Sequence, residues 1–150
     1  MPILDKIDPL AYYFMYRLFR DSTRYIKGTL VKDLSYLGRD LSKVIILDTD
    51  PNRVQTHPEN AIVIPAWSGD KKDTSLIAYL PFLEAIGINA VKDVRPVLKA
   101  YEGKSIPIEY AKRQQVYKQQ QVEEWKQKKA ESGLLGSFSI ASLFGIVSYL

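Results

Sequence analysis

"LVKDLSYLGRDLSKVIILDTDPNRV", residues 30–54, carries the reading of the fold. Its centre is "KVIILD", residues 43–48, where apolar or aliphatic-stemmed residues follow one another without polar alternation. Such a strand is expected to be covered on both faces, as in a parallel sheet lying under helices. Asp48 closes it. A carboxylate at the carboxyl end of a strand lies in the ligand crevice of an open α/β sheet. Asp50 and Pro51 then read as an N-cap and a first helical residue. Lys32 stands sixteen positions before Asp48, and whether the two meet at that edge decides what the segment can do.

These residue types suit phosphoryl chemistry. Asp48 and Asp50 could both approach a magnesium ion, which takes carboxylate oxygens together with water and phosphate. A lysine at the same edge would offset phosphoryl charge, and the reaction would run through a carboxylate nucleophile. The competing reading is structural, because a strand-ending aspartate also serves as a helix cap. A site of this kind needs a second apolar strand ending in a nucleophilic aspartate. "YYFMYRLFRDS" ends instead in a polar turn, and "AIVIPAW" ends in no acid. Within these residues no catalytic nucleophile and no complete metal site are expected.

Working outward, "ILDKID" before Pro9 reads as the end of a helix, and "YYFMYRLF", residues 12–19, as a buried strand rich in aromatics. Gly28 divides "STRYIKGTLVKDLS" into a β-hairpin. "DLSYLG" reads as a short helical turn. "AIVIPAW", residues 61–67, is a second strand stopped by Pro65. "DTSLIAYLPFLEAIG" is expected to form a helix capped by Asp73 or Thr74, kinked by Pro81, with Leu76, Leu80, Leu83 and Ile86 on one face. "DVRPVLKAYEG" gives a further short helix. From Pro107 to Ser132 the chain is polar and suits an exposed helix that leaves the globule, with lysines favourable at its end.

The segment "GLLGSFSIASLFGIVSYL" carries no charge. It is short for a membrane span, which needs about 20 apolar residues, and reads more readily as an interfacial or docking tail or as a disordered end. The expected organisation is a domain over 1–103, an exposed charged helix over 104–132 and an uncharged tail over 133–150.

A chain of 150 residues with 46% hydrophobic and 25% charged residues fits one globular domain. The absence of cysteine excludes disulfides and thiolate metal centres, and a single histidine excludes sites needing two imidazoles. That histidine, His57, precedes Pro58 and reads as solvent-facing. The net charge of +4 is too mild to argue for nucleic acid. Tyr110, Tyr117 and Trp125 are too sparse for a base-stacking platform, so no nucleic-acid partner is expected. No secretory or transit signal opens the chain.

The run from Leu18 to Trp67, with "DTSLIAYLPFLEAI" and "DVRPVL" behind it, resembles the small RNA-polymerase C-terminal-domain phosphatases of the haloacid dehalogenase superfamily. Asp48-Thr49-Asp50-Pro51 stands where those phosphatases usually carry Asp-Asn-Ser-Pro. Together with "KDVRPVL" and the Gln/Lys/Glu-rich helix, it is most similar to the presequence-receptor subunits of the mitochondrial inner-membrane import translocase. The likeness covers roughly residues 2–132.

The resemblance implies a three-layer α/β fold with a parallel sheet and a β-hairpin, here lacking its first strand, followed by a long C-terminal helix. Lys32 matches the family's lysine, Asp48 its first metal position, and Thr49 the place of the phosphatases' asparagine. The loops bearing the nucleophile and a Ser or Thr have no counterpart and would lie upstream of Met1, so a fragment is expected, with a membrane-spanning helix and a targeting signal upstream as well. The implied role is non-enzymatic: recognition of mitochondrial presequences and transfer of preproteins to the channel subunit, at the inner membrane facing the intermembrane space, with no cofactor. The hairpin residues Tyr25, Ile26 and Lys27 are a candidate partner-binding surface. The alternative is a magnesium-dependent protein serine phosphatase, which needs the missing half. Without a central strand, apolar edges would be exposed and prone to aggregation.

Overall fold

Two short two-stranded sheets and five α-helices, joined by 3-10 turns, make up the computed structural model, which describes residues 2–131. The helix at the start, α1 (Pro2–Ile7), matches the expected helical end before Pro9. Strands β1 (Arg24–Ile26) and β2 (Thr29–Val31) form the antiparallel hairpin, with Tyr25 opposite Leu30. Lys27 and Gly28 both take positive φ, 46° and 84°. That is the pairing a two-residue turn needs for its twist to match the strands. Asp33 then caps a 3-10 turn, Leu34–Leu37, which ends on left-handed Gly38.

Strands β3 (Ile46–Asp48) and β4 (Ala61–Val63) pair in parallel, with Leu47 opposite Ile62. The connection between them carries two 3-10 turns, Pro51–Val54 and Pro58–Asn60. Asp50 caps the first, accepting from the Asn52 N–H at 2.9 Å, as the Asp-Pro pair predicts. Fully buried Asn60 donates its amide to the carbonyls of Leu41 and Val44, at 2.6 and 2.7 Å, and so fixes the approach to β3.

Helices α3 (Leu80–Ile88) and α4 (Val94–Lys99), with the base of α5 (Ile106–Glu131), build the core against this sheet. Phe82 is its centre, edge-on to Tyr101 and Tyr110 with ring centroids at 5.0 and 5.7 Å, an arrangement that ring quadrupoles favour. Asp93 caps α4 and receives Arg95 in a two-point contact at 2.9 and 2.8 Å. At the foot of α5, Arg113 lies 4.2 Å from the Tyr101 ring centroid, bonds Glu109 and donates to the Ala100 carbonyl. The foot of α5 is thus core, and the exposed helix begins only beyond it.

Three expectations are corrected. First, β3 is not sandwiched. Residues 44–47 are half-buried. Ile45 and Leu47 pack on the helical core, and Val44, Ile45 and Ile46 line an open cleft.

Second, residues 12–19 form no strand, and Tyr12, Tyr13, Met15 and Tyr16 are exposed. The Asp8 carboxylate takes the N–H groups of Tyr12 at 2.8 Å, Tyr13 at 3.3 Å and Phe14 at 2.9 Å. These are the donors a strand ladder would use, and a local side-chain acceptor competes for them. Arg17 clamps the turn from the other side through Asp5 and Asp8.

Third, the helix expected over 73–87 with a kink at Pro81 is two helices, α2 (Ser75–Ala78) and α3, divided at Tyr79 with Pro81 in the first turn of α3. Its phase shifts at the break, so Tyr79, Phe82, Ala85 and Ile86 are buried while Leu76 and Leu80 face outward. Asp73, not Thr74, supplies the capping oxygen, at 2.6 Å from the Ser75 N–H.

No helix among the described residues is long and apolar enough to cross a membrane. The uncharged tail lies outside the described residues.

Candidate functional site

Lys32 follows β2 directly, and Asp48 is the last residue of β3. The fold brings them together: Lys32 Nζ lies 2.6 Å from Asp48 Oδ2. Asp48 is almost wholly enclosed, its side chain 4% exposed, while the lysine reaches in from solvent. The other carboxylate oxygen, Oδ1, accepts the N–H groups of Thr49 at 2.7 Å and Asp50 at 3.0 Å. Oδ2 has no hydrogen-bond partner beyond this ion-pair contact. Burial pushes the Asp48 carboxyl up, but the lysine and the two backbone donors outweigh it and hold it below the usual range. The Lys32 N–H donates to the Arg53 carbonyl at 2.7 Å and ties the hairpin to the turn after β3.

The neighbouring acids do not complete a metal site. Asp50 spends Oδ1 on the cap of its own turn and holds Oδ2 3.4 Å from Arg53. Of the two readings open to Asp50, the structure shows the cap, and the Asp48 oxygens face a cation and backbone donors. Among the described residues no group of three or more His, Asp or Glu side chains is placed to hold a metal ion. Thr49 contributes its backbone N–H, and its side chain is exposed.

Beside this pair opens a cleft of about 1240 Å³. Its walls come from Leu18 and Phe19, the hairpin, and the run into β3 at Val44, Ile45 and Ile46. Tyr25 stands on its rim, 75% exposed. Ile26 is half-buried, and Lys27 is exposed at the turn.

A second polar centre escaped the sequence reading. Asp33, 6% exposed in its side chain, collects four hydrogen bonds. Oδ1 faces the Ser35 hydroxyl at 2.7 Å, the Ser35 N–H at 3.1 Å and His57 Nε2 at 3.1 Å; Oδ2 takes Arg24 Nη1 at 2.7 Å. The Ser35 hydroxyl, then Arg24 and His57, hold this carboxyl far below the usual range against the cost of burial. His57 is thus no solvent-facing loop residue; it is 16% exposed and pinned to Asp33. The Asp-Leu-Ser pattern signalled the cap, but nothing local linked it to a histidine twenty-four positions away.

A family profile described as NLI interacting factor-like phosphatase matches residues 1–95. The chain belongs to this family. Within it, the chain is similar to mitochondrial import inner membrane translocase subunits. It is 51% identical to subunit tim50 of Neurospora crassa over 91% of this chain, and 46% identical to that of Aspergillus fumigatus over 97%. It is 41% identical to subunit TIM50 of Candida glabrata over 93% of this chain. These matches take in 25%, 29% and 29% of the respective relatives, so the chain spans about a quarter of their length. As a member of this phosphatase-like family the chain has the mixed α/β architecture expected: a parallel strand pair, an antiparallel hairpin and a long C-terminal helix.

Proposed function

We propose that this chain is part of a non-enzymatic component of the mitochondrial presequence translocase, which recognises targeting sequences and passes preproteins to the inner-membrane channel. The observation that carries this reading is identity of 41–51% to named inner-membrane translocase subunits over more than nine-tenths of the chain. On this reading the domain faces the intermembrane space, and its partners are mitochondrial presequences and the channel subunit. Tyr25, Ile26 and Lys27 at the hairpin tip are the docking residues. Lys32, Asp48 and Thr49 are remnant positions of a phosphatase-like site, and they keep a structural ion pair in place of catalysis.

The finer architecture belongs to the same proposal. Residues 1–103 are the later part of a haloacid-dehalogenase-like three-layer domain whose first strand would carry the nucleophile, residues 104–132 a charged helix, and residues 133–150 an uncharged tail. Among the described residues β3 pairs only with β4, and its unpaired edge supports an added strand there. A second reading, a magnesium-dependent protein serine phosphatase, draws on the Lys32–Asp48 contact and would need that strand to carry an intact Asp-x-Asp pattern.

The test is capture by the 150-residue chain of a synthetic presequence and of the soluble segment of the channel subunit. Enrichment over a scrambled peptide supports the receptor reading. Equal retention of both peptides, together with release of phosphate from a phosphoserine peptide by a longer form of the protein, would replace it with the phosphatase.

A further inference from the structure

The hairpin is built from two three-residue strands, and an isolated ribbon of that size has marginal stability in water. Its orientation must therefore be set at its base. Besides the Lys32 contacts, the base is held by the Asp33 cluster. Asp33 lies just beyond β2 and receives Arg24 from β1, so one carboxylate closes both strands of the ribbon. Two further bonds come from the neighbouring Ser35, and the fourth, from His57 Nε2, reaches across from the β3–β4 connection.

That imidazole is mounted rigidly. The His57 N–H donates to the Val54 carbonyl and its own carbonyl accepts from the Asn60 N–H, both at 3.1 Å. Asn60 is in turn buried and bonded to the approach of β3. Because the Asp33 carboxylate is ionised and only accepts, the ring nitrogen facing it must carry the hydrogen. Nδ1 points toward Glu59 Oε1 at 3.8 Å, beyond hydrogen-bond range. Nothing in the Lys32–Asp48 pair uses His57.

We propose that His57 is a positioning residue: through Asp33 it fixes the hairpin in the orientation in which its tip meets a partner. The inference deepens the docking reading of Tyr25, Ile26 and Lys27 and rests on it.

Hydrogen exchange on the 150-residue chain tests the latch without any partner. In His57→Ala the hairpin amides should exchange about tenfold faster or more, as loss of a hydrogen bond to a charged group implies. The amides of α3 and α4 should keep their rates. In His57→Gln, whose side-chain amide can donate to the same oxygen, hairpin protection should return to within about threefold of the parent. Unchanged hairpin rates in His57→Ala overturn the proposal. So does a uniform acceleration of core and hairpin together, or a failure of glutamine to rescue while the core stays protected. Since His57 is the sole histidine, its nitrogen shifts in a labelled sample are unambiguous, and hydrogen on Nδ1 with bare Nε2 at neutral pH also overturns it.

Capture of the channel subunit's soluble segment forms the second arm. It should weaken in His57→Ala, recover in His57→Gln and be lost in Tyr25→Ala. Capture indifferent to Tyr25→Ala sinks the docking reading, whereas the exchange data decide the latch by themselves.

Discussion

Asp48 is a buried carboxylate whose second oxygen has one compensating neighbour, the Lys32 ammonium. Removing that neighbour strands a buried charge, which costs more than the pair itself contributes. Lys32→Met should therefore destabilise the chain by about 1–3 kcal/mol, read from urea unfolding. Asp48→Asn combined with Lys32→Met should cost less than the sum of the two single changes, because they share one contact. The same logic gives a pH dependence for Asp33. Its carboxyl is held below the ordinary aspartate value of 3.8 in the folded state, so its contribution is complete above that value and drains as pH falls below it. Acid unfolding monitored by circular dichroism should be less steep in Asp33→Asn than in the parent.

At the scale of elements, the hairpin turn gives a sharp prediction. Lys27 occupies a left-handed conformation that costs a non-glycine residue stability, and asparagine tolerates it better. Lys27→Asn should stabilise the chain by about 0.5 kcal/mol, seen as a raised Tm. Gly28→Ala should cost about 1 kcal/mol from backbone strain alone, since a Cβ there would meet only the Tyr25 hydroxyl at 4.0 Å. Helix α5 divides by the same reasoning. Its foot is core through Ile106 and Tyr110, whereas its outer part is polar and joined by local pairs such as Lys126 with Glu123. Gln120→Pro should lower far-ultraviolet helix signal while leaving the unfolding midpoint of the core within about 1 °C, because a break there removes no core contact.

For the molecule as a whole, the decisive feature is apolar surface that water still touches. Leu10, Tyr12, Tyr13, Met15, Tyr16 and Leu18 are exposed along one segment, and a contiguous patch of this kind marks a surface meant to be covered or one prone to association. The segment is held by backbone bonds with Asp8, while the Tyr12–Tyr13 ring contact and Arg39 over Tyr16 lie at its surface. Replacing Tyr12, Tyr13 and Met15 together by serine should thus raise solubility and reduce binding of an apolar dye, with the circular dichroism spectrum unchanged. Asp8→Ala should do the reverse, loosening the segment and increasing aggregation.

Much of this was legible in the sequence because it is decided within a few residues. The hairpin turn follows from which residues accept positive φ, the Asp-Pro cap from side-chain geometry, the strands at 46–48 and 61–63 from aliphatic runs, and the long helix from an unbroken polar stretch. Family membership was legible for the same reason, since "KDLS", "KVIILDTDP" and "KDVRPVL" are local strings. What tertiary structure alone decided is which surfaces meet. It drew His57 out of solvent onto Asp33 and turned the buried face of α3 to Phe82 and Ala85. Such outcomes depend on the position of groups far along the chain, and a residue's own neighbours in sequence hold no record of that distance.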